Sequence, residues 1–218
     1  MSVVDFEPVN QQSTAEMIAD RLRSAIMRGA IAPGAQLGEA DLAASFGVSR
    51  GPVREAMQRL VQEGLLFSIR HRGIFVIELT TEDVVDIYRA RSALEGGALE
   101  LILDGRREIA YAALQPGVEV MLERAAAGDA TGVSDADQAF HEALVGAAES
   151  PRLVRAARTL LIETRMCLGA LQTTYADLGE QAREHVDLRE AIGAGSPDRA
   201  RALLVEHMND AVRRLRGR

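Results

Sequence analysis

The chain contains 218 residues, of which 47% are hydrophobic and 26% charged, and its formal net charge at pH 7 is −7. This length is enough for two small domains with buried cores, and the acidic balance argues against a protein that coats nucleic acid without specificity. Aromatic residues make up 4% of the chain and tryptophan is absent, which argues against a stacking platform for unpaired bases.

The sequence carries no pattern of export or membrane insertion. No run approaches the roughly 18 apolar residues of a membrane span, and the first ten residues lack the basic and apolar regions of a secretory signal. The single cysteine, Cys167, excludes an internal disulfide and is interpreted as a small buried apolar residue. We therefore expect a cytoplasmic protein without a membrane partner.

The first third of the chain predicts helices followed by a β-hairpin. Ser13 and Thr14 can cap the first helix, and the glycines and proline of residues 29–34 end it. Two short β-rich runs flank RHRG, residues 70–73, and predict the hairpin. The predicted helices cover about residues 13–28, 39–46 and 50–63. This order is typical of a winged helix-turn-helix, which we place at residues 1–79.

A continuous stretch of this region, LGEADLAASFGVSRGPVREAMQRLVQEGLL, resembles the DNA-binding domain of GntR-type transcription regulators. It follows the pattern L-x-E-x-x-L-A-x-x-x-G-V-S-R-x-P-V-R-E-A-L at nearly every fixed position. It departs at Gly51, where relatives usually have threonine or another polar residue, and so lacks one phosphate contact. The resemblance implies a partner, double-stranded DNA.

The residues expected to contact DNA lie at the start of the third helix and on the hairpin. Arg50 and Arg54 share one face of the first turn, and arginine pairs with O6 and N7 of guanine, so we interpret both as base readers. Ser49 is expected to cap this helix and contact phosphate. The tip of the hairpin supplies the remaining candidates, Arg70, His71, Arg72 and Gly73, the glycine allowing close approach of the backbone to the duplex. Glu55 and Arg59 are interpreted as an internal charge pair or a solvated face. The alternative for the whole cluster is an exposed charged helix.

From residue 80 onward the pattern predicts helices only. Pro116 is expected to kink or split the second of them, whereas Ser196 and Pro197 predict the start of the last. The predicted helices cover about residues 81–103, 107–126, 134–149, 151–175, 179–194 and 197–216. The fold class is therefore mainly α, with an N-terminal winged helix-turn-helix and an all-α helical bundle at residues 80–218.

Three of the four histidines and one aspartate predict a metal site in this bundle. Asp137 and His141 are four residues apart and share a helix face. His185 and His207 each lie 11 residues from Ser196, so an antiparallel helical hairpin would bring them to the same height. A lone buried histidine is more often a satisfied core residue, but three histidines and a carboxylate suit a divalent transition metal. Zinc is preferred, with nickel, manganese or iron as alternatives.

This half also resembles the FCD ligand-binding domain of FadR-type GntR regulators, through DQAFH, EH followed by AI, and the histidine of the last helix. The resemblance implies that Asp137, His141, His185 and His207 are metal ligands, as in the metal-binding members. It also implies a homodimer and a small carboxylate effector.

Two arginines are candidates for binding that effector. YRARSALE resembles the first helix of the ligand domain, and Arg91 is either a carboxylate clamp or the partner of Glu95 in an i,i+4 ion pair. Arg165 is the weaker candidate, because it could equally be a dimer or surface feature.

Together these features predict a dimeric transcription regulator, a repressor, that binds an inverted-repeat operator and senses a small carboxylate through a bound metal. A purely structural metal is one alternative. A metal-dependent hydrolase or lyase is another, but the bundle holds no further histidine to act as a base and no G-x-S-x-G motif. We therefore expect no enzyme activity.

Overall fold

A computed structural model describes residues 12–171 and 177–216, with the side chains of 167–171 and 215–216 excepted. The chain divides into two compact units, Met1–Ile77 and Glu78–Arg218; the sequence places this boundary after residue 79. The side chain of Cys167, predicted to be buried, and the predicted helical residues 172–175 lie outside this description. Within the described residues, no helix is long and apolar enough to cross a membrane.

From residue 12 onward, the first unit contains three helices and a small antiparallel sheet. The Ser13 hydroxyl accepts a hydrogen bond from the Glu16 backbone N–H, and the Glu16 carboxylate accepts one from the Ser13 backbone N–H. This capping box satisfies two free N–H groups at the start of the first helix. The sheet has the order β1-β3-β2. Its elements are α1 (Thr14–Met27), β1 (Gln36–Leu37), α2 (Glu39–Phe46), α3 (Arg50–Gln62), β2 (Leu66–Ile69) and β3 (Gly73–Val76).

The strand β1 is the element that the sequence does not predict. It has two residues, Gln36 and Leu37, which pair with Phe75 and Ile74 of β3. Two residues are too few to produce an alternating pattern, and this segment follows the glycines and proline that predict only a turn. The strand β1 therefore forms because it pairs with the edge of β3 in the hairpin.

The core of the first unit forms between α1, α3 and the sheet. Val53, Met57 and Leu60 of α3 are fully buried, and Ile18 and Leu22 of α1 are nearly so. Shortening Leu60 to alanine would cost about 2–5 kcal/mol, because such a site cannot fully collapse around the cavity. This packing fixes α3 and leaves the face that carries its arginines exposed.

Ion pairs reinforce the contact of α1 with α3, and one of them corrects a prediction. Arg59 does not pair with Glu55; its Nη1 lies 3.2 Å from Glu16 of α1. Arg23 pairs with Glu63 through two hydrogen bonds of 2.9 Å each. The charge of Arg59 therefore faces a neighbouring helix, because α1 packs along the same side of α3.

The second unit consists, in its described residues, of helices alone. Thr80 and Asp83 form a capping box at the start of α4, and Asp129 caps α6, which begins four residues earlier than predicted. Residues 194–196 join the last two helices. The helices are α4 (Thr81–Leu103), α5 (Arg107–Ala126), α6 (Ala130–Ala147), α7 (Pro151–Leu171), α8 (Leu178–Gly193) and α9 (Pro197–Arg216).

Of the two effects predicted for Pro116, the split does not occur, since α5 runs from Arg107 to Ala126 without interruption, and the kink stays a prediction. An interior proline costs about 3 kcal/mol, but the buried face of α5 packs against α6 and α8 and outweighs this cost. Gly117 is part of that packing: a Cβ there would lie 3.3 Å from the Cα of Phe140. The close contact of α5 with α6 holds the central part of α6 in the core.

Candidate DNA-binding surface and metal centre

The start of α3 presents three of the predicted DNA-binding side chains to solvent. Ser49, Arg50 and Arg54 are all exposed. Ser49 occupies the N-cap position, but its side chain makes no capping hydrogen bond, so this part of the prediction is wrong. Its exposed hydroxyl remains available for another acceptor or donor.

The second of the two arginines has a partner that the sequence analysis missed. Nε and Nη2 of Arg54 donate to the two carboxylate oxygens of Glu39, at 2.9 and 2.7 Å. The hydrogen bond from Arg54 lowers the pKa of Glu39, and the nearby charge of Arg50 adds to this effect. Glu39 is the first residue of α2, so the pair links the two helices of the helix-turn-helix.

The hairpin tip, residues 70–73, is exposed at every position. His71 has a φ of 62° and Gly73 a φ of 114°, which together reverse the chain between β2 and β3. Gln36 of β1 donates from Nε2 to the Arg72 carbonyl at 2.7 Å, and a Cβ on Gly73 would lie 2.8 Å from that amide nitrogen. The positive φ of Gly73 therefore favours glycine within the unit itself, independently of any approach to DNA.

The four predicted metal-binding residues come together in the core of the second unit. Asp137 and His141 lie on α6, His185 on α8 and His207 on α9, and one potential ligand atom from each falls within 4.8 Å of all the others. All four side chains are buried; His141 is 0% exposed and His185 1%. The equal spacing of His185 and His207 from the α8–α9 turn brings their rings to 4.6 Å between centroids.

Each of the three imidazoles is oriented by an acceptor at Nδ1. The Nδ1 of His141 lies 2.6 Å from Glu95, that of His185 lies 2.8 Å from the Gln181 carbonyl, and that of His207 lies 3.0 Å from Glu184. A carbonyl or carboxylate oxygen cannot donate, so each Nδ1 carries the hydrogen. In the neutral rings, every Nε2 therefore carries a lone pair. Nε2 is the atom through which each ring can bind a metal.

The arrangement of these nitrogens fits a bound cation. Nε2 of His141 and Nε2 of His207 are 3.2 Å apart, and two facing lone pairs repel unless positive charge lies beside them. Nε2 of His185 has no hydrogen-bond partner among the described residues, although it lies 3.2 Å from Asp137. A divalent cation would satisfy all of these atoms, and three imidazoles with one carboxylate are a suitable donor set.

The Asp137 carboxylate of the cluster holds negative charge in the core. Burial alone would raise the pKa of Asp137, but the hydrogen bond and charge of the histidines lower it well below its usual range. Burial also favours neutral imidazole, and it lowers the pKa of His141 to about 4 despite Glu95. Burial would lower the pKa of His185, but the negative charge of Asp137, 3.2 Å from Nε2, outweighs burial and raises it. The negative charge of Asp137 thus favours binding of a cation at this centre.

Arg91 forms the predicted ion pair with Glu95, and its alternative role as a carboxylate clamp stays a prediction. Its Nε donates to Glu95 at 2.7 Å, the i,i+4 pair, and Nη1 reaches Thr164 of α7 at 3.3 Å. Glu95, fully buried, has its pKa raised by burial but lowered more by Arg91 and His141, to about 2. Nη2 of Arg91 is buried and has no partner among the described residues.

Arg165 is not a surface side chain, since it is 3% exposed. Its Nε lies 2.8 Å and its Nη2 2.6 Å from Asp135 of α6, whose side chain is 64% exposed. Nη1 is buried without a partner in the described part of the chain. Both predicted effector arginines therefore keep one unsatisfied donor inside the bundle.

The residues that support the imidazoles are those that sequence reasoning missed. Glu95, Gln181 and Glu184 accept the Nδ1 hydrogens, and Gln181 also donates to Asp137 at 3.1 Å. Gln181 lies four residues before His185, so helical spacing could have found it. Glu95 could not be found in this way, because it belongs to α4 and reaches a histidine of α6.

Comparisons with known proteins agree with this organisation. Residues 14–76 match the family described as bacterial regulatory proteins, gntR family, and residues 86–210 match the FCD domain. A probable D-xylose utilization operon transcriptional repressor of Paenarthrobacter nicotinovorans is 34% identical over 200 residues, 92% of this chain and 88% of that protein.

Two solved structures share the architecture over almost the whole chain. A GntR transcriptional regulator from Rhodococcus sp. RHA1 superimposes with a TM-score of 0.77 at 28% identity, covering 94% of this chain and 99% of its own. The E. coli protein McbR/YncC gives a TM-score of 0.77 at 25% identity, covering 95% and 99%. The relative from Paenarthrobacter nicotinovorans and the structure from Rhodococcus sp. RHA1 are both described as regulators of transcription.

Proposed function

The chain belongs to the GntR family of bacterial regulatory proteins and carries an FCD domain, and from this premise we propose how it works as a transcription regulator. It is a homodimeric, cytoplasmic repressor that binds an inverted-repeat operator. A small carboxylate controls it by binding at a metal centre formed by Asp137, His141, His185 and His207. The observation that carries this proposal is the buried cluster whose four ligand atoms lie within 4.8 Å of one another.

The first unit supplies DNA binding. Arg50 and Arg54 at the start of α3 enter the major groove as base readers, and Ser49 contacts phosphate. Arg70, His71, Arg72 and Gly73 form the wing. The exposure of all seven residues supports these roles, and the repressor role agrees with the name of the relative from Paenarthrobacter nicotinovorans.

The second unit supplies sensing. A bound cation, zinc before nickel, manganese or iron, provides positive charge and coordination positions for a carboxylate. Arg91 and Arg165 complete the effector site, because Nη2 of Arg91 and Nη1 of Arg165 are buried donors without partners among the described residues. An unsatisfied buried donor on a charged group is costly, and a carboxylate satisfies it.

The helix α4 connects sensing with DNA binding. It carries both Arg91 and Glu95, and only residues 77–80 separate it from β3. An effector that draws Arg91 toward itself changes the contacts of Glu95 and hence of α4. Operator affinity then changes if the effector prefers one arrangement of α4 over the other.

The first test is the metal content of the untagged protein, measured by plasma mass spectrometry, in wild type, His185→Ala and His71→Ala. We expect one equivalent of a transition metal in wild type and in His71→Ala, whose histidine is exposed on the wing, and none in His185→Ala. Wild-type protein that holds no metal, even after metal is added back, would contradict the metal centre and leave the DNA-binding role intact.

The second test adds organic acids to the metal-loaded protein. Calorimetry should detect binding of a chelating hydroxycarboxylate, and fluorescence anisotropy should detect release of operator DNA. Binding should weaken in Arg91→Lys, which keeps the charge but loses the forked geometry. If metal is present but no carboxylate binds in a broad panel, the metal is structural and the effector belongs to another chemical class.

A further inference from the structure

The pair between Arg54 and Glu39 has a geometry that bears on DNA recognition. Glu39 engages the side edge of the guanidinium, through Nε at 2.9 Å and Nη2 at 2.7 Å. Arginine has five N–H groups, so three remain: both on Nη1 and one on Nη2. These form the end of the fork, which presents two parallel N–H groups and can pair with O6 and N7 of guanine.

The pair contributes little to the stability of the fold. The side chain of Arg54 is 58% exposed and that of Glu39 29%, and ion pairs exposed in this way are weak because solvent screens them. A carboxylate near a DNA-binding surface also repels phosphate and lowers affinity for any sequence. An acid that adds little stability and opposes DNA binding in general requires another role.

We propose that Glu39 is a positioning residue for base readout: it holds Arg54 so that the free end of its guanidinium meets a guanine in one orientation. This inference rests on the proposed role of Arg54 as a base reader. A free arginine side chain can meet a base or a phosphate in many rotamers, and ordering it in advance removes part of the entropy cost of the specific contact. A preorganised fork therefore favours guanine over other bases.

Arg50 provides the internal contrast. It lies at the same exposed end of α3, and its charge acts on Glu39, but in the described structure the hydrogen bonds of Glu39 go to Arg54. Loss of Glu39 should therefore affect discrimination at the base position that Arg54 reads and leave the position read by Arg50 nearly unchanged.

The experiment uses the full chain and random duplex DNA. Selection with wild type gives a preferred site, and anisotropy at one fixed salt concentration then measures affinity for that site and for every single-base substitution. Arg54→Ala identifies the position that Arg54 reads by the loss of about 10- to 100-fold discrimination there. Glu39→Ala should lower discrimination at that same position by about 10-fold and raise affinity for non-specific duplex.

Three controls separate positioning from charge. Glu55→Ala removes an exposed acid from α3 itself and should leave discrimination unchanged. Glu39→Gln removes the charge but keeps one acceptor oxygen, and should retain more discrimination than Glu39→Ala. In the Arg54→Ala background, Glu39→Ala should have no further effect on discrimination. Thermal melting by circular dichroism checks that each variant is folded.

The outcomes distinguish this inference from the function on which it rests. If Arg54→Ala loses discrimination and Glu39→Ala keeps it, Glu39 is not a positioning residue, while the proposed function stands. If wild type selects no sequence, or Arg54→Ala discriminates as wild type does at every position, the assignment of Arg54 as a base reader fails and the inference fails with it.

Discussion

The two units place their candidate functional residues in opposite environments. In the first unit the predicted DNA-binding side chains are exposed and the core lies behind them; in the second, the cluster of Asp137, His141, His185 and His207 is itself part of the core. An exposed site can be altered without disturbing packing, whereas a buried polar cluster must be fully satisfied for the fold to be stable. Function and stability are therefore separable in the first unit and coupled in the second.

The largest expected effect is the loss of Glu95, which bonds both Arg91 and His141 inside the bundle. Glu95→Ala leaves a buried guanidinium without its counter-charge and should destabilise the second unit by about 3–5 kcal/mol. Chemical denaturation measures this change.

The matched control is Glu100→Gln on the same helix. Glu100 pairs with Arg201 at 2.6 and 2.8 Å, but both side chains are about half exposed. This change should leave the denaturation midpoint within experimental error. If both substitutions changed stability equally, the expectation that the buried pair stabilises the fold more than the exposed pair would be wrong.

Removal of the metal tests the same coupling without a mutation. A ligand that binds only the folded state at a hundred times its Kd adds about 2.7 kcal/mol, which for a protein of this size corresponds to roughly 5–10 °C in Tm. Calorimetry with and without a chelator should show this shift. A Tm that does not respond to chelator or to added metal would mean that the second unit is stable without the ion.

A substitution in the exposed site should change function alone. Arg50→Ala should weaken binding to the selected DNA site by about 1–3 kcal/mol, and its Tm should match wild type because Arg50 is exposed and lies outside the core. Anisotropy and thermal melting of the same preparation make the comparison. A fall in Tm would show that the recognition surface also supports the fold.

The smallest effects concern two serines at helix starts in the first unit. Ser13→Ala removes a capping hydrogen bond of 3.1 Å and should cost about 1 kcal/mol of stability. Ser49→Ala removes a hydroxyl that caps nothing, so it should leave stability unchanged and weaken DNA binding modestly. A stability loss in Ser49→Ala equal to that in Ser13→Ala would contradict this assignment.

Most helices of both units could be predicted because their signals are local. These signals extend over only one or two helical turns: Ser13 at the start of α1, Pro197 at the start of α9, and the three residues of GVS between α2 and α3. The split predicted as one effect of Pro116 does not occur, because the packing of α5 against α6 and α8 outweighs the local cost of the proline. The strand β1 was missed because its pairing partner is distant in sequence.

The sequence by itself determined which residues are candidates: the arginines at the start of α3, the i,i+4 pair of Asp137 and His141, and the equal distances of His185 and His207 from their turn. These follow from helical periodicity, which depends only on position along the chain. Tertiary structure alone decided the partners, since Glu95 meets His141 46 residues away and Arg54 meets Glu39 15 residues away. Such contacts depend on how each helix is rotated about its axis, and the packing of whole cores decides that rotation.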